Sequence, residues 1–173
     1  MTRCFGDGDP LYERYHDEEW GVPVTGEDEL FERVSLEAFQ SGLAWITILR
    51  KRDAFRAAFA GFDPAVVAMF DATDVERLMG DASIVRNRAK IEATIANARA
   101  IESLHASGGS LREILWSDAS AKDTAKALKS LGFRFVGPTT VESARQAVGV
   151  INGHADTCPG WARIEASGGP GRI

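Results

Sequence analysis

Leu128-Lys129-Ser130-Leu131-Gly132-Phe133-Arg134-Phe135-Val136-Gly137-Pro138-Thr139-Thr140 is the stretch on which the reading of the fold turns. A helical run from Ala121 reaches Leu131 and stops at Gly132. A tight turn follows, and Gly137-Pro138 opens another helix that runs to about Val148. Proline suits a first helical position because the N–H it lacks has no partner there anyway. The free N–H groups beyond it favour an anion. The glycines let the main chain approach a partner closely. Lys126, Lys129 and Arg134 add positive charge around the turn. Such a unit is either a plain αα-corner or a helix-hairpin-helix that grips a DNA phosphate through main-chain amides. On the second reading Gly132, Arg134, Gly137 and Thr139 are the phosphate-binding positions.

Working outward, the rest of the chain also reads as helices joined by short turns. Thr25 and Asp28 resemble a capping box with Asp in place of Glu, ahead of a helix from Asp28 to about Gln40. Helical spacing continues over Trp45 to Phe59, and Asp63-Pro64 starts a short helix through Val67 and Phe70. Thr73 to Gly80 and the long amphipathic run from Asn87 to Ala106 follow. Alternation with period two is confined to the four residues Phe133 to Val136, so an all-α fold is expected. A second basic cluster, Arg86, Arg88 and Lys90, is either a set of phosphate contacts or a solvated helix face.

The 173 residues suit one domain of two helical lobes over 1–165, with a glycine-rich, flexible tail over 166–173. Folding a chain of this length buries roughly 70% of its unfolded surface, so a core needs no covalent staples. The longest apolar stretch, Gly42 to Leu49, is far short of a spanning helix, and no export leader is visible. The expectation is a cytoplasmic monomer with no membrane partner. The net charge of −5 argues against a non-specific nucleic-acid coat. Its distribution is uneven, however. Residues 1–37 hold eleven acidic and three basic side chains, whereas 38–173 hold fourteen and seventeen, so the later helices can present a basic face.

Glu37 shares one helical face with Leu30, Val34 and Ser41, where a core residue is expected. A carboxylate there costs free energy unless it is paired or functional. Tyr12, Tyr15, Trp20, Phe39 and Trp45 lie around it in sequence. An acid among aromatic rings suits a flat, cationic ligand. The other reading is a Glu at a domain edge with aromatics that are simply core.

Cys4 and His16 lie near the start of the chain, and His154 and Cys158 lie near its end, spaced H-x3-C. Both cysteines and two of the three histidines thus form two Cys/His pairs, the complement of a tetrahedral zinc site. The other reading of the spacing is two buried thiols, each a small hydrophobe, and two surface or capping histidines. Four protein ligands would leave no position open for water, so a zinc here would be structural and would tie the two ends of the chain together. His105 reads as a solvated residue of the long helix.

Taken together, the blocks resemble a known family. Arg3-Cys4, Asp9-Pro10-Leu11-Tyr12 and Tyr15-His16-Asp17-Glu18-Glu19-Trp20-Gly21-Val22-Pro23 are similar to the opening of the type I 3-methyladenine DNA glycosylases, in the helix-hairpin-helix glycosylase superfamily. Leu36-Glu37, Gln40 to Leu49, Phe62-Asp63-Pro64, Arg86 to Ile91, Asn97 to Ala100, Leu115-Trp116-Ser117, Lys126 to Lys129 and Gly132 to Thr139 continue the match in order. The resemblance implies an all-α glycosylase that binds alkylated double-stranded DNA, flips the damaged nucleotide and hydrolytically releases 3-methyladenine. It implies a structural zinc on Cys4, His16, His154 and Cys158, base recognition by Glu37, and a pocket of Tyr12, Tyr15, Trp20 and Trp45. Thr139 stands where lyase-type relatives carry a lysine, so no strand-cleaving step is expected, and Asp156 is read as incidental. The chain departs from the pattern at Phe5-Gly6, where a Trp is usual after the first Cys. It also departs at Glu142 for Tyr, Arg145 for Met and Gly153 for Asp, and in about twenty family residues missing between Ser117 and Thr124. A weakly active or non-catalytic lesion-sensing module of the same fold is the alternative.

Overall fold

A computed structural model describes residues 2–6 and 8–171. Among these residues the chain is helical with no strand. Helix α1 (Pro10–Arg14) runs into a π-helical turn over Tyr15–Glu19, followed by α2 (Glu27–Gln40) and α3 (Trp45–Ala58). A 3-10 turn (Ala60–Phe62) precedes α4 (Pro64–Val67), α5 (Ala72–Gly80), α6 (Arg88–Ala106) and α7 (Leu111–Leu115). Helices α8 (Ala121–Ser130), α9 (Pro138–Ala147) and α10 (Pro159–Ala166) complete the chain. The run Phe133 to Val136 is the turn between α8 and α9 and not a strand. Three short helical segments were not expected. Asp9 caps α1 through the amides of Leu11 and Tyr12, but that helix buries no residue and so shows no apolar period. Helix α7 has a complete Ser110–Glu113 capping box, and α10 starts on Pro159.

The expected capping box at Thr25 and Asp28 does not form. Helix α2 begins at Glu27 with Gly26 at its cap and no side-chain cap bond. The Glu27 carboxylate reaches across to α7, accepting from the amides of Leu111 and Arg112 at 2.9 Å each. It also pairs with His105 at 2.9 Å, so His105 is an ion-pair partner and not a free solvated side chain.

Helix α2 is the centre of the molecule. It packs against α3, α6, α7 and α9, and all ten residues from Leu30 to Phe39 are buried. Phe31, Phe39, Phe55, Phe59 and Phe62 are fully buried around it, with Phe59 stacked on Phe62 at 5.5 Å. Each such ring removed from water stabilises the fold by about 1.5–3 kcal/mol. Burial on every face forces the polar residues of α2 to find partners. Arg56 holds Glu32 with two bonds of 2.8 and 2.9 Å. Arg33 donates to Glu19 at 3.3 Å, and Arg52 clamps the same carboxylate at 2.6 and 3.0 Å.

Two side chains fix the α8–turn–α9 unit. The buried Asn97 of α6 accepts from the Arg134 amide at 2.7 Å and donates to the Arg134 carbonyl at 3.1 Å, holding both sides of one turn residue. The buried Arg145 of α9 donates to the carbonyls of Ala119 and Ser117 at 2.5 and 2.7 Å. Those carbonyls belong to the five-residue link 116–120, where the family resemblance finds its residues missing. At the other end Gly171 donates to the carbonyl of Gly149 at 3.1 Å, and residues 172 and 173 of the expected tail lie outside the described residues. An Arg145→Met variant should lose about 1–3 kcal/mol in urea unfolding, because the carbonyls of Ser117 and Ala119 lose their charged donor and the link loses its anchor on α9.

Candidate active site

The carboxylate of Glu37 faces a chamber of about 140 Å³ lined by Phe5, Tyr12, Tyr15, Trp20, Gln40, Trp45, Ser143 and Gln146. Four of the five aromatics named around Glu37 in the sequence, Tyr12, Tyr15, Trp20 and Trp45, are brought together with it, whereas Phe39 lies in the hydrophobic core. The walls come from separate elements. The π-helical turn buries the adjacent residues Tyr15 and His16, sending Tyr15 to the chamber and His16 to the cysteines. Trp45 is the first residue of α3, with its ring 5.5 Å from that of Tyr15. Helix α9 supplies Ser143 and Gln146, neither of which the sequence assigned to the site, because only the packing of α9 on α2 brings them to Glu37. Phe5 is a further wall, stacked on Tyr12 at 4.7 Å.

The chamber opens through an outer hollow of about 460 Å³ bounded by Ser41, Gly42, Leu43, Thr139 and Thr140. Lys90 shapes this mouth. Its ammonium is buried and caps the end of α2, donating to the carbonyls of Phe39 and Ser41 at 2.8 and 2.7 Å. Arg88 pairs with Glu76 at 2.8 Å. The second basic cluster thus serves the fold at two of its three positions.

Glu37 is only 8% exposed, and no hydrogen bond or ion pair from the described residues reaches its carboxylate. Burial raises its pKa to about 7, against a weaker opposing pull from Arg33, whose guanidinium is held by Glu19. The indole N–H of Trp45 is also buried without an acceptor. An acceptor and a donor in one aromatic chamber thus lack internal partners. A flat ligand bearing positive charge and N–H groups would satisfy the carboxylate, while stacking on the rings. The protonated Glu37 is favoured in the folded chain, so its contribution to stability is present below pH 4.5 and is lost as pH rises through about 7. Urea unfolding of the native chain and Glu37→Gln between pH 4 and 8 should therefore diverge, the native chain losing on the order of 3 kcal/mol relative to the variant.

The four Cys and His residues converge behind this wall. Their ligand atoms all lie within 4.8 Å of one another. Cys158 Sγ stands 3.3 Å from His16 Nε2 and 3.6 Å from His154 Nδ1, and Cys4 Sγ stands 3.9 Å from His154 Nδ1. A tetrahedral zinc with ordinary bond lengths would separate such atoms by about 3.3–3.8 Å, so the donor set fits that ion. The outer ring nitrogens are engaged as metal-bound imidazoles require. His16 Nδ1 meets Asp17 at 2.8 Å and His154 Nε2 meets the Trp20 carbonyl at 3.1 Å. Gly160 lies so close to the His154 ring that a Cβ there would approach within 2.2 Å.

In the turn between α8 and α9, Gly132 has φ +95° and Arg134 and Thr139 are exposed. The amides of Gly132, Phe133 and Arg134 are bonded internally, to Lys129, Leu128 and Asn97. The amides of Phe135 and Gly137 have no such bond among the described residues, and Pro138 starts α9 beyond them. The Arg134 side chain lies along α5 and α6, beside Arg99. Lys122, Lys126 and Lys129 form an exposed stripe on α8 and make no ion pair among the described residues. Thr139 borders both the turn and the chamber mouth, so the two features share one surface.

An all-α body with a desolvated carboxylate in an aromatic chamber, opening beside a glycine turn and exposed lysines, falls in the class of helical proteins built to take up a flat, cationic ligand. Comparison narrows the class: a family model described as methyladenine glycosylase matches residues 5–124 and 117–161. The chain belongs to the methyladenine glycosylase family. It is 44% identical over 179 residues to DNA-3-methyladenine glycosylase 1 of Escherichia coli (strain K12), covering 91% of this chain and 96% of that one. It is 36% identical to the DNA-3-methyladenine glycosylase of Haemophilus influenzae, with coverage of 91% and 97%. A solved structure of 3-methyladenine DNA glycosylase I from Staphylococcus aureus, described as the structural basis of 3-methyladenine recognition, superposes with a TM-score of 0.86 at 36% identity, covering 91% of this chain and 94% of that one. An alignment of 179 positions on 91% of a 173-residue chain requires gaps on this side. The two matched segments meet at 117–124, the link held by Arg145.

Proposed function

We infer that this protein is a DNA-3-methyladenine glycosylase of base-excision repair. The observation that carries the reading is Glu37, a buried carboxylate without an internal partner in a chamber of aromatic rings. Methylation at N3 makes the nucleotide's adenine cationic and already a good leaving group. The site therefore has to recognise and extract the base more than activate it. The flipped base stacks among Tyr12, Tyr15, Trp20 and Trp45. Its charge draws Glu37 into the ionised form, and the carboxylate accepts hydrogen bonds from the polar edge of the adenine. Normal adenine, being neutral, leaves Glu37 with its desolvation cost uncompensated. As the glycosidic bond breaks, its electron pair goes to the base and positive charge passes to the sugar. Water adds there and gives up a proton. The released base is neutral, so its attraction to Glu37 falls. Thr139 offers no amine for a covalent sugar intermediate, which supports hydrolysis without strand cleavage.

Gripping the DNA falls to the helix-hairpin-helix over Gly132 to Thr139. The amides of Phe135 and Gly137 are free to meet a phosphate, with Arg134, Thr139 and the α8 lysines beside them. The zinc assignment rests on the donor set of Cys4, His16, His154 and Cys158. When bound, zinc there supplies cross-linking of the chain ends and no Lewis-acid step, since four protein ligands fill its coordination. The whole is read as one cytoplasmic glycosylase domain over 1–165, acting as a monomer on double-stranded DNA.

Glu37→Gln should abolish most release of 3-methyladenine from methylated DNA while duplex binding stays nearly intact. Unchanged release would overturn the assignment, and DNA binding without release by the native chain would favour the lesion-sensing alternative. Replacing Lys122, Lys126 and Lys129 by Ala should make the dependence of DNA affinity on salt shallower, by up to about three phosphate contacts. Metal analysis should find about one zinc per chain.

A further inference from the structure

The wall between the Cys/His cluster and the base chamber is one residue layer thick. Phe5 follows Cys4 directly in the chain. Its ring meets the His16 ring edge-on at 4.8 Å on one side, and meets Tyr12 at 4.7 Å and Trp20 at 4.9 Å on the other. Trp20 is held by the other histidine. The His154 ring lies 4.5 Å from the indole ring, and His154 Nε2 stands 3.1 Å from the Trp20 carbonyl. Two chamber walls are thus fastened to the candidate ligands, one by a peptide bond and one by ring and backbone contacts.

Two departures from the family pattern fall on this layer. Phe5-Gly6 stands where a Trp is usual. Gly6 adopts φ +137°, and a Cβ on it would come within 2.8 Å of Glu13 Cγ, so the chain can turn Phe5 into the wall only with glycine next to it. Gly153 stands where an Asp is usual. A Cβ there would lie 2.7 Å from Trp20 Cζ2 and 3.0 Å from Gln146, so glycine leaves the space that these two chamber residues occupy. Both departures make room for the present packing of Phe5, Trp20 and Gln146.

We propose that Phe5 and Trp20 are positioning residues through which the Cys/His cluster sets the shape of the base chamber, so that metal occupancy controls affinity for the methylated base and leaves affinity for the DNA backbone unchanged. This deepens the glycosylase reading and rests on it. The hairpin stands apart from the coupling, because its own anchors are Asn97 and the α8–α9 packing, neither of which touches the cluster. With the metal removed, Cys4 keeps only two contacts of 3.3 Å, from the Ala155 amide to its Sγ and from its own amide to His16 Nε2, with the exposed Arg3–Asp17 pair beside it, so Phe5 is held less firmly against Tyr12 and Trp20 while the core around α2 is undisturbed.

Binding of free 3-methyladenine by the zinc-loaded chain, followed by calorimetry, tests the proposal against the chelated chain and against Phe5→Ala and Gly153→Ala. Duplex affinity and far-ultraviolet circular dichroism are measured in parallel. Chelation should weaken base binding roughly tenfold to a hundredfold, the span expected for losing one or two stacking walls, with duplex affinity changed by less than about threefold. Phe5→Ala and Gly153→Ala should keep one zinc per chain and lose base affinity to a similar extent. Equal base affinity with and without metal in a folded chain overturns the proposal. Should the chelated chain unfold, the two substitutions decide alone, and unchanged base affinity in both overturns it. A zinc-loaded native chain that binds no 3-methyladenine overturns the glycosylase reading beneath it, whereas binding that ignores the metal and both substitutions overturns the coupling only.

Discussion

The central helix α2 is buried on every side, and it carries three charged residues within that burial: Glu32, Arg33 and Glu37. Taking a charge from water is costly unless a partner replaces the lost hydration. Glu32 has Arg56, and Arg33 has Glu19, which Arg52 also holds. These pairs decide where the surrounding elements sit. They draw α3 onto α2 and pull the N-terminal segment against both helices. Glu37 alone has no internal counterpart, and the same N-terminal segment supplies the rings around it. The chain tolerates a local cost at one carboxylate because the large aromatic core around α2 outweighs it. That cost is one that a bound cation would offset.

The π-helical turn is where the two functional features meet. In an ordinary α-helix, adjacent side chains diverge by about 100°, and a π turn inserts a residue that shifts this register. Tyr15 and His16 can then both be buried, one toward the base chamber and one toward the cysteines. Asp17 and Glu19 in the same turn bind Arg3 and Arg52, which fix the turn from outside. Five consecutive residues thus serve a chamber, a cluster and two ion pairs.

Much of this was legible in residue types and spacing. The apolar stripe through Leu30 and Val34 placed Glu37 correctly, and the scarcity of Cys and His singled out four residues that the fold does bring together. Asp63-Pro64 and Asn87 marked helix starts that form as expected, each with its side-chain cap. Partners distant in sequence were not legible. Thr25 and Asp28 were read as a local cap that does not form, while Glu27 between them serves α7, 84 residues away. Lys90 looked like a surface cation and instead closes the end of α2. Ser143 and Gln146 are ordinary polar residues of α9 until packing turns them toward Glu37. Periodicity reports which face of a helix is buried, not what it is buried against, and α2 shows that a modest stripe can accompany burial on all faces.

The clamp by Arg145 also bears on how this variant of the fold arose. A short link between α7 and α8 has a lower closure entropy than a long one, by about 1–2 kcal/mol for a loop shortened several-fold. That gain alone would leave the link untied, with the half-buried carbonyl of Ser117 and that of Ala119 without a protein donor. An arginine at position 145 without the short link would be a buried cation lacking those acceptors. Either change on its own is unfavourable, and together each removes the cost of the other. The short link and Arg145 therefore depend on each other, so a substitution at 145 should cost less in a chain whose link has been lengthened.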